Sequence, residues 1–114
     1  MRVPLGALFA ASLAALVACG GALSEGESQF KSGRYPEAKQ TFVQLEGESR
    51  GWDDARRAEY ALYRGLTHAA LGDRAQAGVW LREARAIDDS HSGSLSPEDR
   101  RRLVVALDAN DVTP

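Results

Sequence analysis

Cysteine and histidine are scarce in this 114-residue chain: Cys19 is the only cysteine, and histidine occurs twice. A single cysteine excludes a disulfide within one chain. A zinc site usually draws three or four ligands from cysteine, histidine and carboxylates. Asp88, Asp89 and His91 are close in sequence, but the chain suggests no fourth ligand beside them. We therefore predict no metal site and no cofactor.

A basic excess is also lacking, with 14 Lys and Arg against 16 Asp and Glu. Nucleic-acid-binding domains need a basic face, so this balance argues against a nucleic-acid partner. Arginine runs occur at Arg56-Arg57 and at residues 100–102. They are interpreted as solvated helix faces.

Recognisable catalytic motifs are missing as well. Gly20-Gly21 and Gly33 are not followed by the Lys-Ser/Thr ending of a phosphate-binding loop. No nucleophile motif surrounds any serine, and Trp52 and Trp80 are expected to pack rather than to form a ligand platform. The chain is predicted not to be an enzyme, and no small-molecule substrate is indicated.

Residues 3–18 contain no charged side chain and follow the positive Met1-Arg2 start. A membrane-spanning helix needs about 20 predominantly apolar residues, and this run is shorter. Its charge, length and small terminal residues fit a secretory signal. One possibility is an ordinary secretory signal that is cut near Ala18, in which case Cys19 is incidental.

The last four residues of this segment, Leu16-Val17-Ala18-Cys19, resemble the lipobox of bacterial lipoproteins. The resemblance implies that Cys19 is the lipid-attachment site, carrying a diacylglyceryl group and often an N-linked palmitate, after the signal is removed. Gly20 follows the cysteine, which implies an outer-membrane lipoprotein that faces the periplasm. The predicted organisation is then a signal over residues 1–18, an anchor and tether over 19–21, a helical domain over 22–107 and a tail over 108–114.

Similar residues recur at an offset of 39 positions, which indicates an internal repeat. The first copy carries its small residues at Gly26, Gly33 and Ala38, each 39 positions before an equivalent in the second. The matched pairs are Gly26 with Gly65, Gly33 with Gly72, Ala38 with Ala77, Phe42 with Leu81 and Leu45 with Ala84. Small residues permit close approach of two helices, and glycine suits the left-handed end of a helix.

Over residues 22–89 this pattern resembles the tetratricopeptide repeat, a helix–turn–helix unit of about 34 residues. Leu45, Leu81 and Arg74 depart from the family pattern, and its early tryptophan and closing proline are missing. The extra residues are placed around Gly47 to Asp53, as a longer link or a longer helix. The matching residues are Gly26, Gly33, Tyr35, Ala38 and Phe42 in the first copy and Gly65, Gly72, Ala77 and Ala84 in the second. A plain antiparallel bundle is the alternative.

The predicted fold is all-α: two tetratricopeptide-like pairs and a C-terminal capping helix. The first pair spans Ala22–Ser32 and Pro36–Glu46. The second begins after Trp52, with Asp53 or Asp54 as cap, ends near Leu71 and resumes after Asp73. Asp88–Leu95 is predicted as a loop, and Ser96-Pro97 opens the last helix. Leu103, Val104 and Leu107 are expected to cover the fourth helix, and His68 to pack or cap.

The predicted function is that of a membrane-tethered scaffold or an accessory subunit of a cell-envelope assembly. Tetratricopeptide arrays bind peptides or partner subunits along their first helices, so the resemblance implies a groove and a protein partner. The alternative function is that of a purely structural, self-associating envelope lipoprotein with no peptide-binding groove. For Leu62, Leu66 and Phe30, the alternative to a place in the groove is a place in the core. The groove residues implied by position are Glu59, Leu62, Tyr63 and Leu66 in the second copy and Glu27, Phe30 and Lys31 in the first.

Overall fold

A computed structural model of the chain describes residues 21–112. The signal predicted over residues 1–18 and the predicted lipid-attachment site, Cys19, lie outside the described residues. Six helices cover most of residues 21–112, and this part of the chain contains no strand. The prediction of an all-α fold is confirmed.

The helices are α1 (residues 21–31), α2 (Tyr35–Gln44), α3 (Glu46–Ser49), α4 (Asp54–Ala70), α5 (Arg74–Ser90) and α6 (Pro97–Val112). The most extensive packing is between α4 and α5, and α6 contacts both of them. The core therefore lies around α4, with α1 and α2 on one side and α6 on the other.

Three helices begin at the side chains that the sequence predicts as caps. The carboxylate of Asp53 accepts a hydrogen bond from the Arg56 N–H at 2.9 Å, and that of Asp73 accepts one from the Gln76 N–H at 3.1 Å. The Ser96 hydroxyl accepts from the Asp99 N–H at 3.1 Å. Each cap satisfies a donor that the first helical turn leaves without an intrahelical partner.

The two predicted turns contain glycine in the left-handed region. Gly33 has φ of 80° between α1 and α2, and Gly72 has φ of 82° between α4 and α5. Since only glycine adopts this region at little cost, these residues fix where each helical pair turns. The positions predicted for the turns are confirmed.

Equivalent residues of the two copies also make equivalent contacts. A β-carbon at Gly26 would lie 2.6 Å from Cε1 of Phe42, and one at Gly65 would lie 2.8 Å from Cγ of Leu81. Both distances are below van der Waals contact, so each glycine permits its helix to approach the next one closely. The offset of 39 residues is thus a repeat of packing as well as of sequence.

The residues that exceed a 34-residue unit form α3 and the turn that follows it. Arg64 on α4 binds the Glu46 carboxylate of α3 at 2.7 Å and lies with its guanidinium 4.2 Å from the Trp80 ring centroid. The Tyr60 hydroxyl donates to the Phe42 carbonyl at 2.6 Å. The extra residues therefore form a longer link rather than a longer α4, and the link contains a short helix that is tied to α4.

Tyr60 is the centre of the aromatic packing. Its ring meets those of Phe42, Trp52 and Trp80 edge to face, with centroids 5.7–5.9 Å apart. Both tryptophans are half-buried against the core. Their predicted role in packing is confirmed.

The buried face of the capping helix α6 differs from its prediction in one residue. Leu103 and Leu107 are buried, but Val104 is 61% exposed and does not cover α5. The three positions span an arc of about 100° on α6, with Val104 at one edge of it. The contact with α4 and α5 buries the two leucines and leaves that edge exposed. Leu95, in the loop before α6, is 2% exposed and belongs to the core.

Two boundaries were also wrong. The helix α5 continues to Ser90, so Asp88 and Asp89 are helical rather than part of the predicted loop. The helix α6 continues to Val112, so residues 108–112 are helical rather than a tail. The side-chain amide of Asn110 donates to the Arg74 carbonyl at 3.3 Å, which holds this last turn against the start of α5.

Candidate binding groove

A cleft of about 570 Å³ opens on the face shared by α1, α4 and α6. We call this cleft the groove. Five of its eight lining residues are apolar, and the charged residues lie on α6 at its rim. The lining residues are Phe30, Leu66, Val105, Ala106 and Ala109, with Glu98, Arg101 and Arg102.

Phe30 reaches the groove from the last turn of α1 because two tyrosine rings support it. Its ring is 5.5 Å from that of Tyr35 and 5.8 Å from that of Tyr63, the latter edge to face. The turn at Gly33 brings Tyr35 back beside α1. The apolar floor is therefore set by the first helical pair and by α4 together.

Tyr63 connects α4 to α6 beneath the groove. It is 2% exposed, and its hydroxyl donates to the Asp99 carboxylate at 2.9 Å. Burial and the neighbouring Asp99 charge raise the pKa of Tyr63 well above its usual range, so the hydroxyl stays protonated and keeps donating. Arg102 completes the connection by donating to Asp99 at 2.9 Å and to Glu98 at 2.8 Å.

Two carboxyl groups face each other between α1 and α4. Burial, followed by the hydrogen bond and charge of Glu59, raises the pKa of Glu27 to about 8. Glu27 is therefore protonated at neutral pH and can donate to the Glu59 carboxylate. Its Oε2 atom is buried without a hydrogen-bond partner. Lys31, one helical turn away, opposes the rise in pKa.

The seven residues predicted for the groove divide into three groups. Phe30 and Leu66 line it, and Lys31 is exposed, with its Nζ 5.4 Å from the Tyr63 ring centroid. Leu62 and Tyr63 are buried in the core, which for Leu62 is the alternative that the sequence left open. Glu27 and Glu59 are half-buried and pair with each other.

Sequence reasoning missed the contribution of α6, which supplies six of the eight lining residues. Arg101, Val105 and Ala109 are four residues apart and therefore lie along one stripe of a helix. That spacing was the available signal. It marks a face of α6 other than the one predicted to cover the preceding helix.

Two of the three residues considered for a metal, Asp88 and His91, have other partners. The Asp88 carboxylate accepts from the Leu95 N–H at 3.0 Å and from Arg100 Nε at 2.7 Å, which lowers the pKa of Asp88. His91 lies 3.3 Å from Asp54 through its Nδ1 atom. Over residues 21–112, no group of three or more His, Cys, Asp or Glu residues is arranged to hold a metal ion.

His68, the other histidine, is 3% exposed on α4. Its Nε2 atom accepts from Arg64 Nε at 3.3 Å, and its carbonyl accepts from the Asp73 N–H at 2.9 Å. Burial and the Arg64 charge lower the pKa of His68, so the imidazole is neutral at physiological pH. The packing role predicted for it is confirmed.

Comparison with models of protein families, with curated proteins and with solved structures gives no match. None of the helices in the described part of the chain is both long enough and apolar enough to span a membrane. The fold class is therefore established by the structure, whereas the tetratricopeptide and lipoprotein resemblances remain predictions.

Proposed function

We propose that this protein is a lipid-tethered binding module of the bacterial envelope, whose groove accepts a segment of a partner protein. The observation that carries the proposal is the open apolar cleft between α1, α4 and α6. Its floor is formed by Phe30, Leu66 and Ala106, and charged side chains of α6 lie at its rim.

The shape of the groove favours a protein segment over a small molecule. Pockets for small molecules enclose most of the ligand surface, whereas this cleft is open along α6, where Val105 is 68% exposed. An apolar side chain of a helix or an extended peptide can enter such a cleft while the rest of the segment stays at the rim.

The charges at the rim favour a segment that carries an acidic residue. Arg102 is already paired with Glu98 and Asp99, but Arg101 is exposed and makes no ion pair or hydrogen bond with residues 21–112. Lys31 adds a second exposed positive charge on α1. An acidic group beside the apolar anchor would find its counterion in one of these two side chains.

Two features support the proposal of a repeat-like module that is tethered to a membrane. The first helix of each pair, α1 and α4, lines the groove, as the tetratricopeptide resemblance implies. The tetrapeptide ending at Cys19 supplies the anchor, since a diacylglyceryl cysteine, with two chains or more, binds a bilayer stably.

Affinity purification from solubilised membranes tests the groove. The full-length chain should retain one partner protein, and Ala109→Arg should lose it because the long cationic side chain occupies the cleft. Ala86→Arg is the matched control, since Ala86 is an exposed alanine on α5 outside the groove. Equal retention by both variants would exclude the groove as the binding surface.

The anchor is tested separately by intact-mass spectrometry of the protein extracted from membranes. The proposal expects a mature chain that begins at Cys19 and carries the added mass of the acyl groups. Cys19→Ser should remove that mass and leave the protein unprocessed. A mature N-terminus elsewhere, or an unmodified Cys19, would contradict the anchor without bearing on the groove.

A further inference from the structure

The helix α6 has large apolar side chains on its exposed side as well as on its buried side. Leu103 and Leu107 are buried against the rest of the domain, whereas Val104 and Val105 are 61% and 68% exposed. No other large hydrophobic residue whose exposure the structure describes is as exposed as these two valines. An amphipathic surface helix normally carries polar residues there, so this face of α6 has the character of an interface.

Arg101 and Asp108 complete the exposed stripe. With the two valines they follow the spacing i, i+3, i+4 and i+7, which places all four side chains on one side of the helix. We call this stripe, Arg101, Val104, Val105 and Asp108, the outer face. Both charged residues are exposed, and neither forms an ion pair with the residues that the structure describes.

The order of these residues makes the outer face complementary to itself. Arg101 lies three residues before Val104, and Asp108 lies three residues after Val105. If two copies of α6 pack antiparallel about an axis between the valines, Val104 meets Val105 of the second copy. The same axis brings Arg101 opposite Asp108 of the second copy, twice over. A twofold contact of this kind has the same patch on both subunits.

We propose that the outer face binds a second copy of this chain, through antiparallel packing of α6 against α6. The occupant is favoured by charge complementarity: an unrelated helix would have to supply one anion and one cation at matching positions, whereas a second copy already has both. The outer face shares Arg101 and Val105 with the groove, whereas Val104 and Asp108 belong to the outer face alone. A second copy and a segment in the groove would therefore compete for two side chains.

The size of the contact predicts a weak dimer. A helix of 16 residues is about 24 Å long, and one helix pair covers less than the roughly 1,200–2,000 Å² of a standard stable interface. Dissociation constants in the micromolar range or above are therefore expected in solution. Two charge pairs at the edge of a small apolar contact also make the dimer sensitive to ionic strength.

Charge reversal provides the test. Arg101→Glu alone places two acidic residues opposite each other at both ends of the contact, and Asp108→Arg alone places two cations there. Each variant should weaken the dimer at least about 10-fold. In a mixture of the two variants, however, every facing pair is opposite in charge, so the mixture should form a heterodimer about as tightly as the wild type.

The measurement is sedimentation equilibrium of the full-length chain in detergent at low salt. Lys39→Glu is the control, because it reverses an exposed charge on α2, away from the outer face. Chance occupancy of one micelle by two chains would be equal for all variants, so it cannot mimic the predicted pattern. A monomeric wild type, unchanged association of both single variants, or a mixture that fails to associate would each overturn the proposal.

Discussion

The close approach of α4 and α5 at Gly65 can be tested by adding a single carbon atom. In Gly65→Ala, the new β-carbon would lie 2.8 Å from Cγ and Cδ2 of Leu81 and 3.0 Å from the Leu81 backbone nitrogen. Optimal contact between carbon atoms is about 3.5–4.0 Å. The two helices therefore have to separate by several tenths of an ångström, because a backbone atom cannot rotate out of the way.

Two effects oppose each other in this substitution. Alanine is favoured over glycine within a helix by up to about 1 kcal/mol, whereas overpacking a core costs about 1–3 kcal/mol. Leu81 is fully buried at the centre of the α4–α5 contact, so the overpacking cost should be the larger. The expected net loss is about 1–2 kcal/mol, equivalent to a midpoint roughly 5–10 °C lower in a domain of this size.

Gly47→Ala is the matched control, because a β-carbon on α3 would meet nothing within 4 Å. It should raise the midpoint by a few degrees through helix propensity alone. Thermal unfolding followed by circular dichroism measures both midpoints, which should shift in opposite directions from that of the wild type. If Gly65→Ala were as stable as the wild type, the helices would not be in close contact and the packing repeat would be refuted.

Three further pairs of substitutions test the turn at Gly72, the capping helix α6 and the carboxyl pair by the same thermal assay. Gly72→Val should cost about 1–3 kcal/mol, since Gly72 has φ of 82° in open space, and Gly72→Asn should cost less because asparagine tolerates that region. Leu107→Ala should cost about 2–5 kcal/mol, because Leu107 is buried, while Val104→Ala should change stability by less than about 0.5 kcal/mol. The folded chain holds a proton on Glu27 up to a pKa of about 8, against 4.5 for the unfolded group, so the free energy of unfolding falls as pH rises between these values. The stability of Glu27→Gln relative to the wild type should therefore rise by about 1–2 kcal/mol between pH 5 and pH 8.5, after discounting for partial solvent exposure. The control is Glu25→Gln, exposed on the same helix, which should show no such rise. The same rise in both variants would refute the pairing of Glu27 with Glu59.

Local chemistry explains why much of the fold was predictable. A cap or a glycine turn acts over three or four residues, so Asp53, Asp73 and Ser96 located helix starts from the sequence alone. Gly33 and Gly72 located the turns in the same way. The end of α5 was not predictable from polarity, because Asp88 is polar and yet buried, held by Arg100 and by the Leu95 N–H.

Contacts between distant helices explain what was missed. The hydrogen bond from Tyr63 to Asp99 joins residues 36 positions apart, and no local sequence pattern predicts it. In α6 the apolar residues surround the helix, so periodicity does not decide which of Leu103, Val104 and Val105 face inward. Only packing against α4 and α5 makes that choice, and with it the lining of the groove.

Site-specific photo-crosslinking in intact cells tests the central claim, that the groove binds a protein segment, most directly. A photoreactive amino acid at position 109, on the groove, should yield one adduct of defined mass with a different envelope protein. The same amino acid at position 86, on the exposed surface of α5, should yield none. Adducts of equal yield from both positions, or no adduct between position 109 and a different protein, would contradict the account.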